Sequence, residues 1–215
     1  MRLALVLVCA GKGKRLKRDK PVLSIHGKPL FYHAYRAFKN ILAIKQIVMV
    51  MRQEHIKPAA RLVDDARVCF VTGGEFRRDS VLNGLYALDE NITHVLIHDG
   101  ARPLVTKRVI DGLIVGLKQH NAVICALVAR DTLKIVKGDR VERPMARENI
   151  VSVQTPQGFR KELIFKAYKN LKRADFYDDA QLVERLGEPV LVVEGDMRNI
   201  KITYPGDIEF AKMFL

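Results

Sequence analysis

The sequence predicts an α/β fold: a doubly wound, mostly parallel (mixed) sheet with a projecting β-arm. Three observations predict it. Uninterrupted apolar runs recur along the chain, the form taken by strands buried on both faces. Segments with helical spacing alternate with those runs, which is how a parallel sheet is wound. Near the middle the alternation stops, and a hairpin signal takes its place. The first strand is Leu3–Cys9, ending in glycines. A helix follows at about Leu30–Lys39, then strands at Gln46–Met51 and Val68–Val71. Ser80–Leu88 is helical, with Val81, Leu85 and Leu88 on one face, and Val95–His98 is the fourth strand. Val109–Lys118 is a helix and Ala122–Val128 a strand. Thr132–Val136 and Val141–Arg143 flank Lys137-Gly138-Asp139 and form the hairpin. Leu163–Lys172 and Asp179–Leu186 read as helices, Val190–Val193 and Ile200–Thr203 as closing strands. The order is that of a Rossmann-like domain spanning 1–215, with the arm at about 130–154.

Size and composition narrow the classes. A chain of 215 residues, 48% hydrophobic and 28% charged, is long enough for a real core and too apolar for a disordered tail. Lys and Arg outnumber Asp and Glu by 37 to 24, a net charge of +13. That excess favours an anionic partner. Nucleic acid is the obvious one, but aromatics are only 7%, and neither a helix–turn–helix nor an RNA-binding sheet signature is present. We therefore expect no nucleic acid partner, and no membrane partner, since no run approaches the length of a spanning helix. Cys9, Cys69 and Cys125 lie in strand-like runs with no metal-ligand spacing. They read as reduced, buried thiols of a cytoplasmic protein. The six histidines show no ligand spacing either.

The polar residues of interest cluster at strand ends. Ala10-Gly11-Lys12-Gly13-Lys14-Arg15 follows the first strand at once, with Lys20 five residues on. Glycines there let backbone N–H groups approach phosphate oxygens, and Arg15 and Lys20 add the cations a triphosphate needs. The third glycine of a dinucleotide fingerprint and the Lys-Ser/Thr ending of a P-loop are both missing. Gly73-Gly74-Glu75-Phe76-Arg77-Arg78-Asp79-Ser80 ends another strand, and Ser80 there is suited to a base, a ribose or a helix cap. His98-Asp99-Gly100-Ala101-Arg102-Pro103 ends the fourth. Ligands of open α/β sheets sit outside these ends. Asp99 is placed for Mg²⁺ or a substrate hydroxyl and Arg102 for a phosphate; the alternative is an ion pair between the two. His98 reads as a residue that orients the loop. Arg147 and Thr155-Pro156-Gln157 flank the strand after the hairpin. Lys201, inside Asn199-Ile200-Lys201-Ile202-Thr203, is costly to bury without an anion, unless that strand face is solvated.

Together these segments resemble the 2-C-methyl-D-erythritol 4-phosphate cytidylyltransferases of the non-mevalonate isoprenoid pathway. The resemblance runs nearly end to end and also takes in Arg130-Asp131-Thr132, Asp178-Asp179-Ala180, Pro205 and Asp207. It implies transfer of CMP from CTP to methylerythritol phosphate with release of pyrophosphate. It also implies roles. Arg15, Lys20, Arg147 and Lys201 would be catalytic. Ala10, Gly11, Gly13, Arg15, Lys20, Gly74, Glu75, Ser80 and Gly100 would bind CTP. Asp99, Arg102, Thr132, Arg147, Thr155 and Lys201 would bind the polyol phosphate. Mg²⁺ would ride mainly on the CTP phosphates. A homodimer with interlocking arms would carry Thr132 and Arg147 into the partner's site. Val8-Cys9, Glu75 and Pro21 depart from the family pattern.

Two other readings compete. Ribitol 5-phosphate is a polyol phosphate of similar length, and few side chains touch the polyol. A non-catalytic nucleic-acid-binding protein is the reading from outside enzymology. The loop from Lys14 to Asp19, crowded with like charges, is expected to order around a triphosphate.

Overall fold

The computed structural model describes residues 1–11, 22–170 and 176–215. Gly13, Arg15, Lys20 and the Lys14–Asp19 loop lie outside the described residues.

The chain begins with β1 (Leu3–Val8), whose side chains are buried on both faces. β2 (Ser24–Ile25) and β3 (Lys28–Pro29) form a small hairpin around His26 and Gly27, both at positive φ. In α1 (Leu30–Lys39), Leu30, Phe31, Ala34, Tyr35 and Phe38 make a single inward stripe at helical spacing. β4 (Ile44–Met51) is followed by α2 (Gln53–Ala60), a helix with no counterpart in the sequence reading. Its Pro58 and single buried residue, Ala59, leave no apolar stripe to read. Next come β5 (Val68–Thr72), α3 (Arg77–Tyr86), β6 (His94–Asp99), α4 (Lys107–Gly116) and β7 (Ala122–Val128). The arm is β8 (Leu133–Lys137) paired antiparallel with β9 (Arg140–Met145), turning at Gly138, whose φ of 62° suits glycine. β10 (Val151–Arg160), α5 (Lys161–Lys169), α6 (Asp179–Glu184), β11 (Leu191–Glu194) and α7 (Pro205–Lys212) complete the described chain.

The main sheet has seven strands in the order β11-β7-β10-β6-β1-β4-β5. All its pairs are parallel except those of β10, which runs antiparallel to both β6 and β7. Alternation along the strands builds two cores. Leu5, Leu7, Ile47 and Met49 face α1 and α4, while Val6, Val48 and Val50 face α3, α5 and α6. The carboxyl ends of β1, β5 and β6 therefore open on one edge of the sheet, between layers of helices. Among the described residues no helix is long and apolar enough to cross a membrane.

One expected element is corrected. Ile200–Thr203 is not a strand. The N–H groups of Thr203 and Tyr204 donate to the Asp207 carboxylate at the start of α7, both at 2.7 Å, rather than to a ladder. Among the described residues, only the Ile202 N–H of this segment reaches a neighbouring one, at Ala101 O, 2.8 Å away. Ile202 is buried with Ile25, Leu30, Leu104 and Ala211, which explains its strand-like look.

Candidate active site

The three glycine loops meet. A Cβ on Gly73 would stand 2.3 Å from Ala10 Cβ and 2.9 Å from Ser80 Oγ, so the two backbones approach as only glycine permits. Gly100 is pressed on Cys9 in the same way, and its N–H donates to Val8 O at 2.9 Å. Burial drives the Cys9 thiol pKa well above its ordinary value, with Asp99 adding to the shift, so Cys9 is a packing group and not a nucleophile. Ser80 is not the helix cap suggested by the sequence. It lies inside α3, accepts the Gly74 N–H at 3.1 Å and donates to Phe76 O at 3.2 Å. The exposed amide at the start of α3, that of Phe76, is taken by Asp79 instead, at 3.0 Å. Gly11 and Glu75 are exposed beside these loops.

Asp99, at the end of β6, is the centre of the site. It is 6% exposed and does not form the expected alternative pair with Arg102. Arg77 Nε donates to its Oδ1 at 3.1 Å and Lys201 Nζ stands 2.6 Å from its Oδ2. Burial opposes ionisation of Asp99, but Arg77 and Lys201, with Arg102 nearby, hold its pKa far below the usual carboxylate range. Lys201 is 39% exposed in its side chain, so an aqueous ligand can reach it. The premise that it is buried within a strand is therefore replaced by a half-open ion pair.

Arg77 and Asp179 were not singled out from the sequence. Two terminal nitrogens of Arg77 hold the Asp179 carboxylate at 2.9 and 2.8 Å, and Tyr168 donates to the same carboxylate at 2.6 Å. Asp179 is fully buried. The partners are 102 residues apart, so only the acidic pair Asp178-Asp179 beside an apolar helix hinted at a buried charge.

His98 does orient its loop. Its Nε2 lies 3.0 Å from Arg102 O, an atom that can only accept, so this nitrogen carries the proton. Burial pushes the His98 pKa down to about 4, against the pull of that hydrogen bond. The ring is neutral, and its Nδ1 accepts from the Thr155 hydroxyl at 3.1 Å. Thr155 Oγ1 in turn accepts the Asp99 N–H at 3.1 Å. Thr155 thus braces Asp99 from behind and has one lone pair to spare for a ligand.

A second buried network carries Lys201. Asn199 donates to Gln154 Oε1 at 3.2 Å and to Thr155 O at 2.9 Å. Gln154 holds the Asp196 backbone at both its groups, at 2.9 and 3.2 Å. Arg102 donates to Asn199 O at 2.7 Å, while its Nε lacks a partner among the described residues. Burial lowers the Arg102 pKa, the mark of a cation with incomplete compensation. The segments around Arg102, Thr155 and Lys201 are therefore one structure. They border a cleft of about 430 Å³ whose walls include Arg77, Asp99, Arg102, Thr155, Gln157 and Lys201. Thr132 and Arg147 do not line it; both are exposed on the arm, where Arg147 donates to Arg130 O.

The whole chain is similar in sequence and fold to known enzymes. The model of the family described as IspD: 2-C-methyl-D-erythritol 4-phosphate cytidylyltransferase matches residues 3–215. A 2-C-methyl-D-erythritol 4-phosphate cytidylyltransferase of Bacillus cereus is 40% identical, covering 98% of this chain and 96% of the relative. A bifunctional enzyme IspD/IspF of Desulfotalea psychrophila is 39% identical over 99% of this chain, which spans only 56% of that relative's length. Among solved structures, the 4-diphosphocytidyl-2C-methyl-D-erythritol synthase of Anaerococcus prevotii superimposes with a TM-score of 0.88 at 30% identity, covering 99% of this chain and 97% of the other. The chain belongs to the 2-C-methyl-D-erythritol 4-phosphate cytidylyltransferase family and is a nucleotidyltransferase of CTP-dependent cytidylyl transfer.

Proposed function

We propose that this chain transfers CMP from CTP to 2-C-methyl-D-erythritol 4-phosphate, and that the cation cluster around Asp99 is the acceptor site. The observation that carries the reading is the convergence on one cleft of Arg102 and of Lys201, the latter paired with an Asp99 carboxylate held ionised, beside the close-packed glycine loops. A phosphate oxygen of the acceptor attacks the α-phosphorus of CTP, a P–O bond forms to it, and the bond to the leaving pyrophosphate breaks. No protein nucleophile is required. Alignment and charge neutralisation then account for catalysis.

Lys201 and Arg102 are suited to the attacking phosphate, and Asp99 and the spare lone pair of Thr155 to hydroxyls of the polyol. The loops at Ala10, Gly74, Ser80 and Gly100 are suited to the nucleotide, with Glu75 and Gly11 at its rim. Arg15 and Lys20 are assigned to the α-phosphate and the pyrophosphate, as the family pattern implies. Among the described residues no group of three His, Cys, Asp or Glu side chains comes together as a metal site, and Asp99 already faces two cations. In this reading a divalent cation would be held mainly by the CTP phosphates, as the family resemblance implies.

The arm supports a homodimer. Val136, Val141 and Met145 are exposed on it, and an antiparallel ribbon this apolar gains from a covering partner. In that assembly Thr132 and Arg147 reach the partner's cleft and join the acceptor phosphate. A cytoplasmic location belongs to the same reading, supported by three thiols that form no disulfide. The test is an assay of pyrophosphate release with CTP, Mg²⁺ and each acceptor in turn. Turnover with methylerythritol phosphate is expected; turnover only with ribitol 5-phosphate would replace the acceptor.

A further inference from the structure

We infer that Arg77 is a positioning residue for the acceptor half of the site, a strut anchored by Asp179 that holds Asp99 in place when the substrate phosphate draws Lys201 away. The inference rests on the acceptor reading above. Three observations carry it.

First, the donors of Arg77 are divided. Both terminal nitrogens are committed to Asp179, at 2.9 and 2.8 Å, and Nε alone turns to Asp99, at 3.1 Å. A planar fork fixed at two points sets the direction of its third donor, which a flexible ammonium does not do. Second, the anchor is itself immobilised. Asp179 is fully buried on α6 and accepts a 2.6 Å bond from Tyr168 of α5. Gln157 of β10 ties the neighbouring positions, donating to Asp178 at 2.8 Å and accepting the Ala180 N–H at 3.1 Å. Third, Arg77 sits in the first turn of α3, where the helix dipole disfavours a cation. The helix gains nothing from it there, so its use lies in its partners.

The consequence concerns Lys201. Its ammonium is 2.6 Å from Asp99, and the two charges satisfy each other. An incoming phosphate competes for Lys201. If Lys201 were the sole cation on Asp99, its departure would leave a buried, uncompensated carboxylate. With Arg77 still in place, Asp99 keeps one charge partner and its orientation. Lys201 is released to the phosphate, and Asp99 remains aimed at the polyol. Arg77 thus acts on the acceptor through Asp99, and its effect belongs to acceptor binding rather than to CTP.

The experiment is steady-state kinetics on the full chain, wild type beside Asp179→Asn and Arg77→Lys, with CTP and the acceptor varied separately. Asparagine keeps the shape of Asp179 and an acceptor for Tyr168 but loosens the hold on Arg77. Lysine keeps the charge at 77 but cannot span two carboxylates. Both variants are expected to raise KM for the acceptor on the order of tenfold, as a mispositioned group does, with KM for CTP changed less than about twofold. Arg77→Lys is expected to retain more of the acceptor affinity than Arg77→Met. A folded variant, judged by circular dichroism, whose acceptor KM is unchanged or whose two KM values rise together would overturn the inference. The wild type is assayed with methylerythritol phosphate and ribitol 5-phosphate, and the split is read with whichever it uses. A wild type using neither would overturn the proposed function and this inference together. An active wild type with an unmoved Asp179→Asn would overturn the inference alone.

Discussion

The imidazole of His98 cannot take a proton without breaking something. Its Nδ1 is occupied by the Thr155 O–H, and a cation there would be fully buried. The folded pKa is depressed to about 4, against an ordinary value of 6.5. Between those values the unfolded chain binds a proton that the folded chain refuses. Stability is therefore complete above pH 6.5 and falls as pH drops toward 4, by on the order of 3 kcal/mol from this group. His98→Gln removes the titration, so its melting temperature should vary less with pH across that window than the wild type's; parallel curves would refute this account. A second residue tests the loop packing. Gly73→Ala places a methyl 2.3 Å from Ala10 Cβ, where no flexible side chain can yield. The two loops must separate. We expect a loss of about 1–3 kcal/mol in urea unfolding, as in other overpacked cores, and a raised KM for CTP with the acceptor KM unaltered. A variant as stable as wild type would show that the loops are not in forced contact.

In the proposed dimer the arm is the element on which the site depends most. Among the described residues β8 and β9 pair only with each other, and Thr132 and Arg147 flank them outside the cleft. If those residues serve a partner, deleting residues 130–145 should give a monomer that binds CTP with near-normal affinity yet turns over at least a hundredfold more slowly. Light scattering and calorimetry read the two halves of that expectation, and full activity in a monomer would end the shared-site idea. The arm was legible in the sequence because a Gly turn between apolar segments is a local signal. The strands were legible for a similar reason: Leu3–Val8 and Ala122–Val128 are apolar throughout because helices cover both their faces. α2 and α7 were not, since each buries a single residue, Ala59 or Ala211, and leaves no periodic stripe. Ile200–Thr203 was misread because local apolar character does not tell where the N–H groups go, and Asp207 takes two of them. Asp99, Arg102, Thr155 and Lys201 were legible as loop-end polar groups. The hold of Arg77 on Asp99 and Asp179 was not, because it is made by folding across three elements rather than by any spacing along the chain.

At the scale of the whole molecule the dominant feature is charge, and it bears on encounter more than on fold. The chain carries +13, and both proposed substrates are multiply anionic. Part of the excess is concentrated: Lys12, Lys14, Arg15, Lys17, Arg18 and Lys20 share nine positions with one acid, Asp19. The cleft adds Arg77, Arg102 and Lys201. A field of this sign raises the local concentration of anions and speeds their capture, and salt weakens it over about 10 Å at 0.1 M ionic strength. The chemical step differs, because charges in contact inside a closed site are screened far less. Raising KCl from about 0.05 to 0.5 M at saturating Mg²⁺ should therefore lower kcat/KM for both substrates by on the order of tenfold, through KM, with kcat nearly constant. Thermal stability should hold or rise slightly over the same range, since screening relieves repulsion among the like charges. The combination separates steering from damage to the protein, which would lower kcat and melting temperature together. It also bears on the competing nucleic-acid reading. RNA added at low salt should compete with CTP only as a weak polyanion, an inhibition that disappears by about 0.2 M salt, as for binding through phosphates alone. Salt-resistant RNA binding, or a kcat/KM indifferent to salt, would mean that the excess charge serves some purpose other than the capture of these two substrates.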